Sequence, residues 1–147
     1  MYRPSNLRRP AMFTLSLLFW AATTFADDAK LVVHVKEIRD ATGNVRVSIY
    51  RDLETFRKED RAVQVVSIPA APGETVVEFP GLTPGRYALM AYHDENGDAK
   101  LNLRFGMFPT EGYALSNAPK VMGPPKFSDS AFDLVAPETR VSLILSY

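Results

Sequence analysis

The chain has 147 residues, 46% of them hydrophobic and 23% charged, with 17 basic residues balancing 17 acidic ones and no Cys. That apolar content is too high for a disordered chain, the length suits one globular domain rather than two, and the balanced charge supplies no basic field for nucleic acid. The missing Cys excludes a disulfide framework, a Cys-ligated zinc, an iron–sulfur cluster and a thiol nucleophile together.

Residues 1–26 read as a secretory leader. Arg3, Arg8 and Arg9 precede an apolar run from Ala11 to Ala22, and Thr24-Phe25-Ala26 supplies the small residues a signal peptidase selects. The run is about a dozen residues, short of the roughly 20 that a membrane-spanning helix needs, so no transmembrane anchor is expected after cleavage. With no Cys a lipoprotein anchor is excluded, and the surroundings of Arg8-Arg9 match a twin-arginine signal poorly, which favours the general secretory route. Residues 27–147 are then the mature domain, periplasmic or extracellular. Cleavage removes three Arg and no acid, leaving a net charge of −3.

The mature segment reads as strands separated by turns. Leu31–Ile38 alternates, with Leu31, Val33 and Val35 on one face and His34 and Lys36 on the other. Gly43-Asn44 turns the chain into Val45–Tyr50, whose Val45, Val47 and Ile49 face inward, and the two segments are expected to pair as a hairpin. Leu53–Arg61 breaks the alternation and predicts one or two helical turns capped near Asp52. Ala62–Ile68 and Thr75–Phe79 are β-branched runs around a turn at Pro69, Pro72 and Gly73. A Pro/Gly corner at residues 80–85 leads into Arg86–His93, and Ala131–Val135 and Thr139–Leu145 supply the last two strands. About seven short strands with one short helix and no strand–helix alternation predict an all-β, antiparallel two-sheet sandwich.

The chemistry-bearing residues lie between the fifth and sixth of these strands. Asp94, Asn96, Asp98, Lys100 and Asn102 occupy positions 1, 3, 5, 7 and 9 of a calcium loop, with Lys100 contributing its carbonyl. Ala99 stands at position 6, where Gly makes the sharp turn, and Phe105 at position 12, where a bidentate Glu belongs. Two readings stay open: a weak calcium site, or an Asn96-Gly97 turn with solvated acids. Phe105–Phe127 is a long connection carrying Phe105, Phe108, Tyr113 and Phe127, either a binding face or a loop pinned over the end of the sandwich. His93 with Asp94 or Glu111 is the constellation that a small hydrolase or carbohydrate-active enzyme would use, and the Asp94 and Asp98 carboxylates could serve a glycosidase if they faced a cleft. No Gly-x-Ser-x-Gly, His-Glu-x-x-His or phosphate-binding Gly loop occurs.

The segments GNVRVSIY (43–50), GLTPGRY (81–87), YHDENGD (92–98), EGYALSN (111–117) and GPPKF (123–127) resemble the exported bacterial family called domain of unknown function 2141. The resemblance spans nearly all of residues 27–147 and implies a secreted sandwich of transthyretin-like or immunoglobulin-like type with no established activity. The chain departs from that family's usual Gly at Ala99 and its usual acid at Asn102. The Gly-Leu-x-Pro-Gly-x-Tyr corner is also similar to that of carboxypeptidase-regulatory-like modules. The resulting expectation is a non-catalytic binding module whose partner is an envelope protein, a glycan or a small ligand. Its recognition face would comprise His93, Phe105, Phe108, Glu111, Tyr113 and Phe127, and calcium is the one cofactor with any support.

Overall fold

A computed structural model describes residues 28–120 and 123–147. The expected leader lies outside these residues. Ten strands form in chain order: β1 (Ala29–Ile38), β2 (Asn44–Tyr50), β3 (Gln64–Pro69), β4 (Gly73–Leu82), β5 (Gly85–Asp94), β6 (Leu103–Arg104), β7 (Phe108–Pro109), β8 (Tyr113–Leu115), β9 (Phe132–Leu134) and β10 (Glu138–Ile144). A single helical turn, α1 (Phe127–Ser130), precedes β9. The seven expected strands are all present. The extra three are two or three residues long, too short for period-two alternation to register.

One sheet has the order β10-β1-β4 and the other β3-β2-β5-β8, with β9 also pairing β5. The two inner faces meet as a sandwich. Leu31, Val33 and Val35 of β1, Val77 and Phe79 of β4 and Leu143 of β10 bury against Val45, Val47 and Ile49 of β2 and Tyr87, Leu89 and Ala91 of β5. These are the alternating residues, so period-two patterning selects the inner face.

Two features differ from the sequence expectation. β1 and β2 do not pair with each other: β1 lies between β10 and β4, while β2 lies between β3 and β5. The connection at residues 39–43 therefore crosses from one sheet to the other, and both strands bury their apolar faces from opposite sides of one core. In addition, β1 pairs β10 in parallel, from Lys30 opposite Glu138 to Lys36 opposite Ile144, within a fold otherwise built from antiparallel pairs. Alternation alone carries no strand direction.

The five-stranded sheet has a second apolar layer on its outer face. Every residue of β5 from Tyr87 to Asp94 is buried, so Ala88, Met90 and Tyr92 also need cover. They join Tyr50, Phe56 and Leu115 in a cluster flanked by Leu101, Tyr113 and Phe127. Phe56 meets Tyr50 and Phe127 edge to face, with ring centroids 5.5 and 5.9 Å apart. This explains why the expected helix over residues 53–61 is only a set of turns ending in a 3-10 turn at Glu59–Arg61. Asp52 does cap the first turn, accepting from the Thr55 N–H at 2.8 Å. Arg57 then adopts φ +64°, which ends any helix there. The Glu59 carboxylate is drawn onto β2, where it bonds the Arg46 guanidinium and accepts from Ser48 Oγ at 3.1 Å.

At the corner before β5 the Tyr87 hydroxyl donates to the Thr83 carbonyl at 2.8 Å. This is the hydrogen bond of a tyrosine corner, a device of antiparallel sandwiches.

Candidate functional site

The end of β5 delivers His93 and Asp94 to the rim where the long connection begins. His93 is completely buried. Its Nε2 lies 2.7 Å from the Thr42 carbonyl, to which it donates, and its Nδ1 lies 2.8 Å from the Tyr147 hydroxyl. That hydroxyl also accepts the Arg39 N–H at 3.1 Å, and the Arg39 guanidinium stacks 4.6 Å over the Tyr147 ring while pairing Glu95. Both imidazole nitrogens are thus engaged inside the protein, joining the residue 39–43 crossover to the C-terminal segment. Neither is free to act on a substrate.

Asp94 is 1% exposed and accepts two backbone N–H groups, Asp98 to Oδ1 at 3.1 Å and Ala99 to Oδ2 at 3.0 Å. The loop folds around this carboxylate. Gly97 and Ala99 take φ +72° and +58°, so Ala99 holds the left-handed turn in which a calcium loop places Gly. Around that turn the side chains of Asn96, Asp98 and Asn102 converge. Asp98 Oδ2 accepts Asn96 Nδ2 at 3.2 Å and Asn102 Nδ2 at 3.0 Å, and Asn96 Nδ2 also reaches Asn102 Oδ1 at 3.0 Å. The Asn102 amide beside Asp98 contributes most to holding that carboxyl below the usual aspartate range, with the Lys100 N–H adding to it. Among the described residues no three His, Cys, Asp or Glu side chains gather as a metal cluster.

Glu111 braces the loop from the other side. It is 5% exposed, accepting the Glu95 N–H through Oε1 at 3.1 Å and the Asn102 N–H through Oε2 at 3.0 Å. Its carboxylate therefore replaces backbone partners that a loop of this length lacks. His93 and Glu111 were expected on a recognition face. The structure buries both, because the Thr42 carbonyl and the Tyr147 hydroxyl engage the imidazole while the Glu95 and Asn102 N–H groups claim the carboxylate.

The aromatic residues divide in the same way. Tyr113 and Phe127 are half-buried against the outer apolar layer, whereas Phe105 and Phe108 are 77% and 61% exposed. They belong to the small hairpin of β6 and β7, in which Leu103 and Met107 are exposed as well. Four large apolar side chains in six residues are a concentration that surfaces of monomeric proteins seldom carry.

Two polar residues that the sequence reading left without a role shape the span beyond the hairpin. Ser116 Oγ accepts the Leu89 N–H at 2.9 Å and donates to the Ser130 carbonyl, and Asn117 Nδ2 donates to the Ala131 carbonyl at 2.7 Å. β8 and β9 pair successive stretches of the same edge of β5, and these bonds close the gap between them, pinching off the excursion that separates the two strands. Their only signal in the sequence is the Ser-Asn pair after a short apolar run.

A family described as an uncharacterized protein conserved in bacteria, DUF2141, matches residues 33–142. The chain belongs to DUF2141. No curated protein and no solved structure matched it.

In this DUF2141 chain the outer apolar layer is incompletely covered. Between the hairpin, the Arg57–Glu59 turn and the base of the pinched excursion lies a cavity of about 990 Å³. Met90, Tyr92, Tyr113 and Leu115 line it from the sheet, and Leu103, Met107 and Phe108 from the hairpin. A further hollow, beside Lys36, Arg39 and Tyr147, is about 560 Å³.

Proposed function

We propose that this DUF2141 protein is an exported, non-catalytic binding module that works in the periplasm or outside the cell, recognising its partner through the β6–β7 hairpin and the cavity beneath it. The observation carrying this reading is the exposure of Met107 and Phe108, at 70% and 61%, where they line a largely apolar cavity, with Phe105 77% exposed between them and Leu103 on the same hairpin. Such a patch costs solubility unless something covers it. The burial of His93, Asp94 and Glu111 in backbone-satisfying roles argues against acid–base catalysis by them. Export rests on the leader-like order of residues 1–26.

A photo-crosslinking amino acid at position 108, introduced in the native host, tests the reading. An adduct from position 108, absent from the same probe at the exposed Arg140, is expected; equal labelling at both positions would count against it. N-terminal sequencing of the exported protein should begin at Asp27.

A second reading, calcium support at the Asp94–Asn102 loop, is favoured by the convergence of Asn96, Asp98 and Asn102 and by the left-handed turn at Ala99. Rotating the Asn amides would present oxygens to a cation without moving the backbone. With only Asp94 and Asp98 charged, affinity belongs at the weak end, about 10⁻⁴ to 10⁻³ M. Raising calcium to about 10 mM over a site of roughly 0.1 mM affinity adds about 2.7 kcal/mol by mass action. A melting shift on the order of 10 °C relative to EDTA is therefore expected, and it should disappear in Asp98→Ala. Coincident melts would eliminate the calcium reading and leave the hairpin reading untouched.

A further inference from the structure

We infer that the cavity beside the hairpin takes a monomeric single-chain amphiphile, an apolar tail carrying one anionic head. The inference rests on the binding-module reading above and adds to it the chemical class of the ligand.

The walls select the tail. Met90, Leu101, Leu103, Phe108 and Leu115 line the space, and its volume of about 990 Å³ lies at the upper end of small-ligand sites. The apolar surface is continuous with the outer layer of the five-stranded sheet, since Met90 and Leu115 belong to both. A flexible hydrocarbon chain fills such an irregular space, and each methylene taken from water adds about three- to fourfold in affinity.

The charges select the head. Arg57, Lys100 and Glu59 are the ionisable groups at the lining apart from the Tyr hydroxyls. Glu59 is already spent, because its carboxylate bonds Arg46 behind the wall and accepts from Ser48 Oγ at 3.1 Å. Arg57 and Lys100 make no ion pair among the described residues. Asp98 feels the Lys100 charge from outside the lining, but its carboxylate is already held by Asn96, Asn102 and the Lys100 N–H. The lining itself therefore carries two cations against one neutralised acid, a field that attracts an anion and repels a cation. A carboxylate or sulfate head satisfies it, with Arg57 able to grip either through its planar fork.

Isothermal titration of the full protein with decanoate, hexanoate and decyltrimethylammonium, each below its micelle concentration, tests the assignment. Decanoate should bind one to one, at least about tenfold more tightly than decyltrimethylammonium and far more tightly than hexanoate. In Arg57→Gln with Lys100→Gln that preference for the anion should vanish while the melting temperature holds, since neither side chain makes an ion pair among the described residues. Equal affinity for the two head groups in the unaltered protein would overturn the inference, as would no binding of decanoate. So would attachment to phosphatidylglycerol vesicles without binding of monomeric decanoate, which would make the hairpin a membrane-docking surface instead. Any of these results, together with a specific adduct at position 108, would sink the amphiphile and leave the binding module standing.

Discussion

A methyl group at position 43 would lie 2.0 Å from the Asp94 carbonyl oxygen, and the backbone there is left-handed at φ +66°. Gly43 is the point at which the crossover from β1 passes under the end of β5, so neither backbone can retreat without breaking the pairing of Asn44 with Asp94. Gly43→Ala should therefore cost at least about 2 kcal/mol, read as a lower urea midpoint at unchanged slope; a midpoint within error of the parent would contradict the close approach. At this scale the sequence was legible where a residue's job is to face inward. Leu31, Val33, Val35, Val45, Val47 and Ile49 are all buried as alternation requires. It was illegible where the job is to satisfy a backbone group. Nothing about His93 or Glu111 in one dimension reveals that the Thr42 carbonyl or the Asn102 N–H awaits them.

The loop following β5 is an element held mainly by carboxylates, which makes its stability depend on acid. Hydrogen bonds hold the Asp98 carboxyl below its ordinary range, led by the one from Asn102, and the Thr55 backbone N–H does the same for Asp52. Glu74 and Glu138 are lowered by His34 and Lys30. A carboxyl whose folded value is depressed contributes stability that is present above its unfolded value, near 4, and is lost as pH falls through the folded one. The melting temperature should thus stay level from pH 7 to about pH 5 and drop below about pH 4. Asp98→Asn should shallow that drop; a mutant curve parallel to the parent would show that the loop does not contribute. The spacing of Asp94, Asn96, Asp98 and Asn102 revealed that these side chains turn toward one another. It did not reveal that their oxygens already hold the loop's own donors. The expected helix over residues 53–61 failed for a related reason, since burying Phe56 and tethering Glu59 to β2 outweighs local helix propensity.

At the scale of the molecule, the sandwich core and the proposed binding face are built from different elements. The core lies between the sheets, while Phe105, Met107 and Phe108 project from a two-stranded hairpin that pairs with neither sheet. Replacing these three by Ser should shift stability by no more than about 0.5 kcal/mol, while abolishing the adduct at a probe placed on Pro109. A large loss of stability would mean that the hairpin is part of the core after all. The all-β class was readable because alternation survives over seven segments. The partition of strands between sheets was not, because it depends on which apolar faces meet across the core.

The parallel pairing of β1 with β10 joins the first described strand to the last across more than a hundred residues of chain. A ribosome releases β1 long before β10 exists, so the three-stranded sheet cannot close until β10 itself has been made. Contacts of such long sequence separation are slow to form and leave an edge unpaired meanwhile. A nascent chain held open in this way stays threadable, a property that the export proposed above would call on.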